Sequence, residues 1–237
     1  MKMKSDFPNN AVRTCVSALL LALAPCFGQT ENTAKAEVAV AALSLPEGSG
    51  GLLHWRVGAA ASTPLQLSTR YFSDRLEAPT GTIGFYDHPV AEAADPPPEP
   101  LLALKIPQDA NLVFIVLWSE LDDDGEPRWR GNLIRGSDWE AGSLRLFNST
   151  SEPLGILAAD EPIRLAGGKS VDFHARDRPE AFAVKIYRLK PERRAVFSSK
   201  WRVTAGRREL CFLVDRNNSL SFRSLLDLAA SPAEATP

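Results

Sequence analysis

The chain has little with which to staple, ligate or span anything. Of its three cysteines in 237 residues, Cys15 and Cys26 fall in a stretch expected to be removed, so Cys211 alone remains and no intramolecular disulfide can form in the mature protein. A small disulfide-held scaffold is excluded, and stability must come from buried apolar area and sheet hydrogen bonding. Three histidines, His54, His88 and His174, stand isolated, without the close ligand pairs of metal sites, and no cofactor is expected. The Gly-x-Ser-x-Gly elbow of serine hydrolases is missing. Gly48-Ser49-Gly50-Gly51 reads as a flexible turn, and Gly136-Ser137-Asp138 reverses the order used by some secreted esterases. Beyond the N-terminal segment no apolar run approaches the roughly 20 residues of a membrane-spanning helix. The net charge is only −2, and with no recognised nucleic-acid module the sequence argues against nucleic-acid binding.

What is present begins with an address. Lys2, Lys4 and Arg13 precede a short apolar run over 15–24, and Pro25 to Gly28 lead into polar Gln29, Thr30 and Glu31. That order is the anatomy of a secretory signal peptide. Cleavage is expected after Gly28, with a periplasmic or extracellular product. The expected layout is a signal peptide over 1–28, a polar leader over 29–36, a β domain over 37–135, a linker over 136–141, a second β domain over 142–228 and a disordered Ala/Pro/Glu tail over 229–237.

Eighteen prolines and a hydrophobic period near two predict an all-β fold: two tandem antiparallel domains of sandwich or open-barrel architecture. Strands are expected at 38–45 (where alanines also permit a helix), 52–57, 65–71, 82–86, 101–106, 112–118 and 128–134, and again at 143–148, 154–157, 162–165, 170–175, 181–189, 195–203, 209–215 and 220–226. The run 112–118 is so continuously apolar that both of its faces should be covered. Pro96, Pro97, Pro98 and Pro100 mark a surface connection, and Asp124-Gly125 marks a hairpin turn. Residues 29–150 carry 9 Lys and Arg against 17 Asp and Glu, and residues 151–237 carry 15 against 11. The first half is therefore acidic and the second mildly basic, which fits solvated strand faces and attraction between neighbouring domains.

The stretch Gly142-Ser143-Leu144-Arg145-Leu146-Phe147-Asn148-Ser149-Thr150, followed by Pro153-Leu154 and Leu165-Ala166-Gly167-Gly168, resembles the opening of a small β domain in uncharacterised bacterial exported proteins. It is also similar to the β domains of the alginate O-acetylation accessory protein family. Ser68-Thr69-Arg70-Tyr71-Phe72-Ser73 resembles the same uncharacterised group. The resemblance implies export and a sandwich-like fold, carries no catalytic residue across, and in its alginate branch implies a role near exopolysaccharide.

Candidate chemistry is sparse. Cys211, within Glu209-Leu210-Cys211-Phe212-Leu213-Val214, reads as an inert thiol on a central strand. Glu120, Asp122 and Asp124 have alternate-acid spacing, but Gly131 stands where a helical-hand calcium loop needs its bidentate acid. An acidic hairpin tip is expected, with weak calcium binding as the lesser reading. Asn148-Ser149-Thr150 fits a glycosylation sequon. Trp129, between Arg128 and Arg130, and Trp139, in the linker, are expected to be exposed, while Arg193, Arg194, Arg207 and Arg208 are expected to form a basic edge. These six residues are the candidate surface for an acidic polysaccharide or an envelope protein partner. The expected function is therefore a non-catalytic structural, adhesive or accessory role in the cell envelope. The alternative is a secreted hydrolase or esterase assembled from distant residues, with His88 or His174 as base; a third reading is a subunit that adds a strand to a partner through an exposed sheet edge.

Overall fold

Alternating residues leave one face of a strand apolar, and a continuous apolar run leaves both faces needing cover; the arrangement of sheets follows from that difference. The structure, a computed structural model, describes residues 34–189, 194–216 and 219–228. The expected signal peptide and C-terminal tail lie outside these residues. The first half contains β1 (Lys35–Ala42), β2 (Leu52–Val57), β3 (Thr63–Gln66), β4 (Leu76–Pro79), β5 (Gly81–Tyr86), β6 (Leu102–Ile106), β7 (Leu112–Leu121) and β8 (Pro127–Arg135). After a 3-10 turn at Gly136–Asp138 come β9 (Ser143–Asn148), β10 (Leu154–Ala158), β11 (Glu161–Leu165), β12 (Ser170–His174), β13 (Phe182–Arg188), β14 (Arg194–Trp201), β15 (Arg208–Arg216) and β16 (Ser219–Asp227).

These strands make four four-stranded sheets in two pairs, the architecture of two sandwiches. In the first half an inner sheet, β4-β1-β7-β8, faces an outer sheet, β3-β2-β5-β6. In the second half the orders are β12-β9-β15-β16 and β11-β10-β13-β14. Adding eight to each strand number of the first half reproduces the second, so the fold is an internal repeat. Each half also carries one parallel pair, β1 with β7 and β9 with β15, a feature that residue alternation does not encode.

Three cores hold the layers together. Val38, Ile83, Phe85, Val113, Ile115 and Leu117 fill the first sandwich, and Leu146, Ile156, Val184, Ile186, Cys211 and Leu213 fill the second. The third core lies between the two inner sheets and contains Ala39, Ala41, Phe114, Val116, Trp139, Leu210, Phe212 and Leu225. On β7, Val113, Ile115 and Leu117 turn into the first core while Phe114 and Val116 turn into the third, and all five are at most 1% exposed. The apolar run at 112–118 is thus covered on both faces. Each large aliphatic or aromatic side chain buried this fully contributes about 1.5–3 kcal/mol.

The strand expected at 65–71 is shorter than alternation predicts. β3 ends at Gln66, because the Ser68 hydroxyl accepts the backbone N–H groups of Arg70 and Tyr71 at 3.1 and 3.2 Å and bends the chain away from its sheet. The connection over 67–75 becomes an arm that crosses to the second half. Phe72 N–H donates to Leu226 O, and Leu226 N–H donates to Arg70 O, both at 2.9 Å. Phe72 sits 5.1 Å from the Phe114 ring and 6.0 Å from Trp139. Beside it Arg75 grips Asp227 through two contacts of 2.6 and 2.7 Å, and Arg208 reaches the same carboxylate at 3.4 Å. Asp227 is only 1% exposed.

Candidate functional site

Where the arm ends, the interface between the inner sheets is sealed; on its opposite side it is open. A cleft of about 940 Å³ lies there between β7 and β8 of the first half and β9, β12 and β15 of the second. The floor is apolar, with Val116, Ile134, Phe147, Leu210, Phe212 and Val214, and the rim carries Arg135, Arg145, Ser149, Thr150, Ser151 and Ser170. The phenyl rings of Phe147 and Phe212 stand 5.7 Å apart.

The opening follows from unequal connections in the repeat. The β3–β4 connection spans nine residues, 67–75, and fills its side of the interface; the corresponding β11–β12 connection is 166–169, four residues, and turns straight back. Two features hold that short turn. Asn148, 0% exposed, donates from Nδ2 to Glu152 O at 2.8 Å and Leu165 O at 3.2 Å and accepts from Thr150 N and Oγ1. Gly167 lies so close that a Cβ there would come within 2.7 Å of the Thr150 and Ser151 carbonyl oxygens. The Asn-Ser-Thr and Gly-Gly motif is therefore a structural clasp whose loop forms one lip of the cleft. A wholly buried Asn148 amide with both hydrogens in use offers no acceptor for a glycan.

The rim arginines are already paired. Arg145 makes a bidentate pair with Asp172 at 2.7 and 2.6 Å and donates to the Asp138 carbonyl. Arg135 contacts Asp109 at 2.9 Å. The cleft therefore offers apolar surface and a strand edge with no neighbouring strand among the described residues, that of β8, more than free cationic charge. Leu133 N–H donates to Asn132 Oδ1 at 2.9 Å, so it is turned away from β7, and Arg135 N–H, two residues on, points the same way.

The residues singled out from sequence do not converge. Trp129 is 8% and Trp139 0% exposed, which corrects the expectation that both lie at the surface. Alternation along β8 sends Arg128 and Arg130 outward and therefore Trp129 into the first core; Trp139 turns into the third core, 4.8 Å from Phe114. Arg208 is likewise no free surface cation: its Nε donates to Trp139 O at 2.7 Å and its Nη1 reaches Asp227 at 3.4 Å. Arg194 and Arg207 are exposed, but Arg194 opens β14 and Arg207 lies in the 202–207 connection beyond that strand's other end; the seven residue steps of β14, roughly 23 Å, separate them, so they form no single basic edge. Arg193 lies outside the described residues.

Among the described residues neither histidine of the hydrolase reading hydrogen-bonds a serine; His174 is the cross-strand neighbour of Ser143, whose hydroxyl donates to Glu140 O. His88 Nδ1 lies 2.6 Å from Asp87 Oδ1 on an exposed bend, and His174 Nδ1 lies 3.5 Å from Glu140 Oε2. At the acidic hairpin Asp122 Oδ1 accepts the Asp124 and Glu126 N–H groups, and Glu120 pairs with Arg130 at 2.5 Å. Among the described residues no group of three or more His, Cys, Asp or Glu gathers into a metal site. Burial pushes the Cys211 thiol well above the ordinary thiol range, and the Glu209 carboxylate adds to the effect. The cleft itself was silent in the sequence; its one available signal is the difference in length between equivalent connections, which needs the repeat to be recognised first. No family model matches the chain, and a comparison of its sequence with curated proteins finds no match.

Proposed function

We propose that this chain is an exported, non-catalytic accessory protein of the cell envelope that holds a polypeptide partner in the cleft between its two sandwiches. The observation that carries the reading is the cleft's composition: an apolar floor, rim arginines already paired with carboxylates, Arg145 with Asp172 and Arg135 with Asp109, and a strand edge. Apolar side chains and peptide groups suit that surface better than the carboxylates of an acidic polysaccharide, which need unpaired cations in register. The polysaccharide reading rests on the resemblance and on Arg194 and Arg207, which lie too far apart to act as one patch. Export rests on the charge and hydropathy order of the first 28 residues.

The test is site-specific photo-crosslinking in cells of the source organism. A crosslinker at Ser170, on the cleft rim, is expected to trap a discrete polypeptide, whereas one at Arg194 on the second outer sheet is not. Crosslinks to saccharide alone, or an identical protein pattern from both positions, would refute the proposal.

A further inference from the structure

The internal repeat says what shape of partner the cleft accepts. On the sealed side, the arm over 67–75 runs along the outer edge of β16, exchanging backbone hydrogen bonds with Leu226 and inserting Phe72 between the inner sheets. The strand related to β16 by the repeat is β8, and its outer edge borders the open cleft. The ladders match along their length: β7 pairs Phe114 with Ile134, and β15 pairs Leu210 with Leu225. Ile134 and Leu225 both face the third core. What the molecule does with its own arm on one side, it leaves undone on the other, because the four-residue connection over 166–169 cannot reach β8.

We infer that the cleft takes an extended segment of a partner polypeptide, which adds to the free edge of β8 and places one aromatic or large aliphatic side chain on the floor formed by Val116, Leu210 and Phe212. Arg135, the repeat equivalent of Leu226, and the Leu133 carbonyl hold the segment as Leu226 holds the arm, the Leu133 N–H being taken by Asn132 Oδ1; the apolar floor selects the inserted side chain as the third core selects Phe72. Main-chain pairing with one side-chain pocket is a known way for a sheet edge to recognise peptides. The added strand is placed at the Leu133–Arg135 end, where backbone groups turned away from β7 border the cleft. This inference rests on the cleft-binding reading above and specifies its ligand.

The probe is a displayed library of random twelve-residue peptides, panned on the purified protein from residue 29 onward; the enriched peptides are resynthesised with a fluorophore and titrated by anisotropy. Enrichment of peptides with an aromatic or large aliphatic residue among alternating polar ones is expected; no enrichment overturns the inference. Two further arms separate the ways it can fail. Ser170→Trp, at an exposed rim position, fills the cleft without touching a core and is expected to weaken binding at least about tenfold; unchanged affinity places the peptides elsewhere and defeats the cleft reading itself. Backbone N-methylation of alternate peptide residues, or Arg135→Pro in the protein, removes main-chain hydrogen bonds and is expected to weaken binding by about tenfold or more. Arg135 has φ −70°, so proline is accommodated there, and circular dichroism confirms that the variant is folded. If Ser170→Trp abolishes binding but neither backbone change weakens it, the cleft reading stands and strand addition is wrong.

Discussion

Asp227 and Arg56 are both buried charged residues, and they lead to opposite expectations. Asp227 is enclosed by the guanidinium groups of Arg75 and Arg208, both of which also lie over the Phe114 ring, at 4.8 and 5.6 Å. Removing the carboxylate leaves two partly buried cations facing each other, so Asp227→Ala is expected to cost about 3–5 kcal/mol in denaturant unfolding. Arg56, 5% exposed, has Nε and Nη1 buried without a hydrogen-bond partner. Arg56→Met keeps the packed stem and removes an uncompensated polar head, and the same measurement should show unchanged or raised stability. Cys211 sets a pH dependence. A thiol whose folded pKa is raised retains its proton in the native state after the unfolded chain has lost it, so its contribution is intact below the ordinary thiol pKa of about 8.5 and declines as pH rises from there toward the folded value. Cys211→Ala is therefore expected to fall less steeply in stability above about pH 8.5 than the unaltered protein, measured as denaturation midpoints across pH.

At the scale of elements, the arm and the short turn are the two solutions the repeat finds to one problem, and each should fail in its own way. Phe72→Ala removes a ring wedged between Phe114 and Trp139 and is expected to cost about 3–5 kcal/mol. Gly167→Ala pushes a methyl group against two carbonyl oxygens and should destabilise the lip of the cleft, detectable as faster amide exchange over 148–152 and 165–168. Much of this architecture was legible in the sequence: β7 and β15 declare themselves as central strands because Val113–Leu117 and Leu210–Leu213 lack a polar face, and the Asp124-Gly125 turn closes a hairpin with Gly125 at φ +82°. The arm was not legible, since Leu65, Leu67 and Thr69 continue a strand-like alternation and only the Ser68 hydroxyl breaks it. Nor was the fate of Trp129 or Trp139, because flanking arginines mark one face of a strand without saying what covers the other. The repeat itself is hidden: equivalent positions such as Phe114 and Leu210, or Ile134 and Leu225, share polarity and direction without sharing identity, and connection lengths differ between the halves.

Among the described residues the layers run outer, inner, inner, outer, and together they fall in one compact unit. The middle core joins the two sandwiches as tightly as each is joined within, since Phe114, Trp139 and Leu210 are at most 1% exposed. A single cooperative unfolding transition is expected, coincident by tryptophan fluorescence and far-ultraviolet circular dichroism. Two resolved transitions would mean that the sandwiches are independent and the middle core is weak. The same core defines the cleft, because the inner sheets are sealed by the arm along one side and left apart along the other. Residue-resolved amide hydrogen exchange, with and without a selected peptide, tests the account most directly. New protection is predicted at Arg135 and along the opposing lip at 168–170. Protection confined to the outer sheets, or none at the edge of β8, would contradict it.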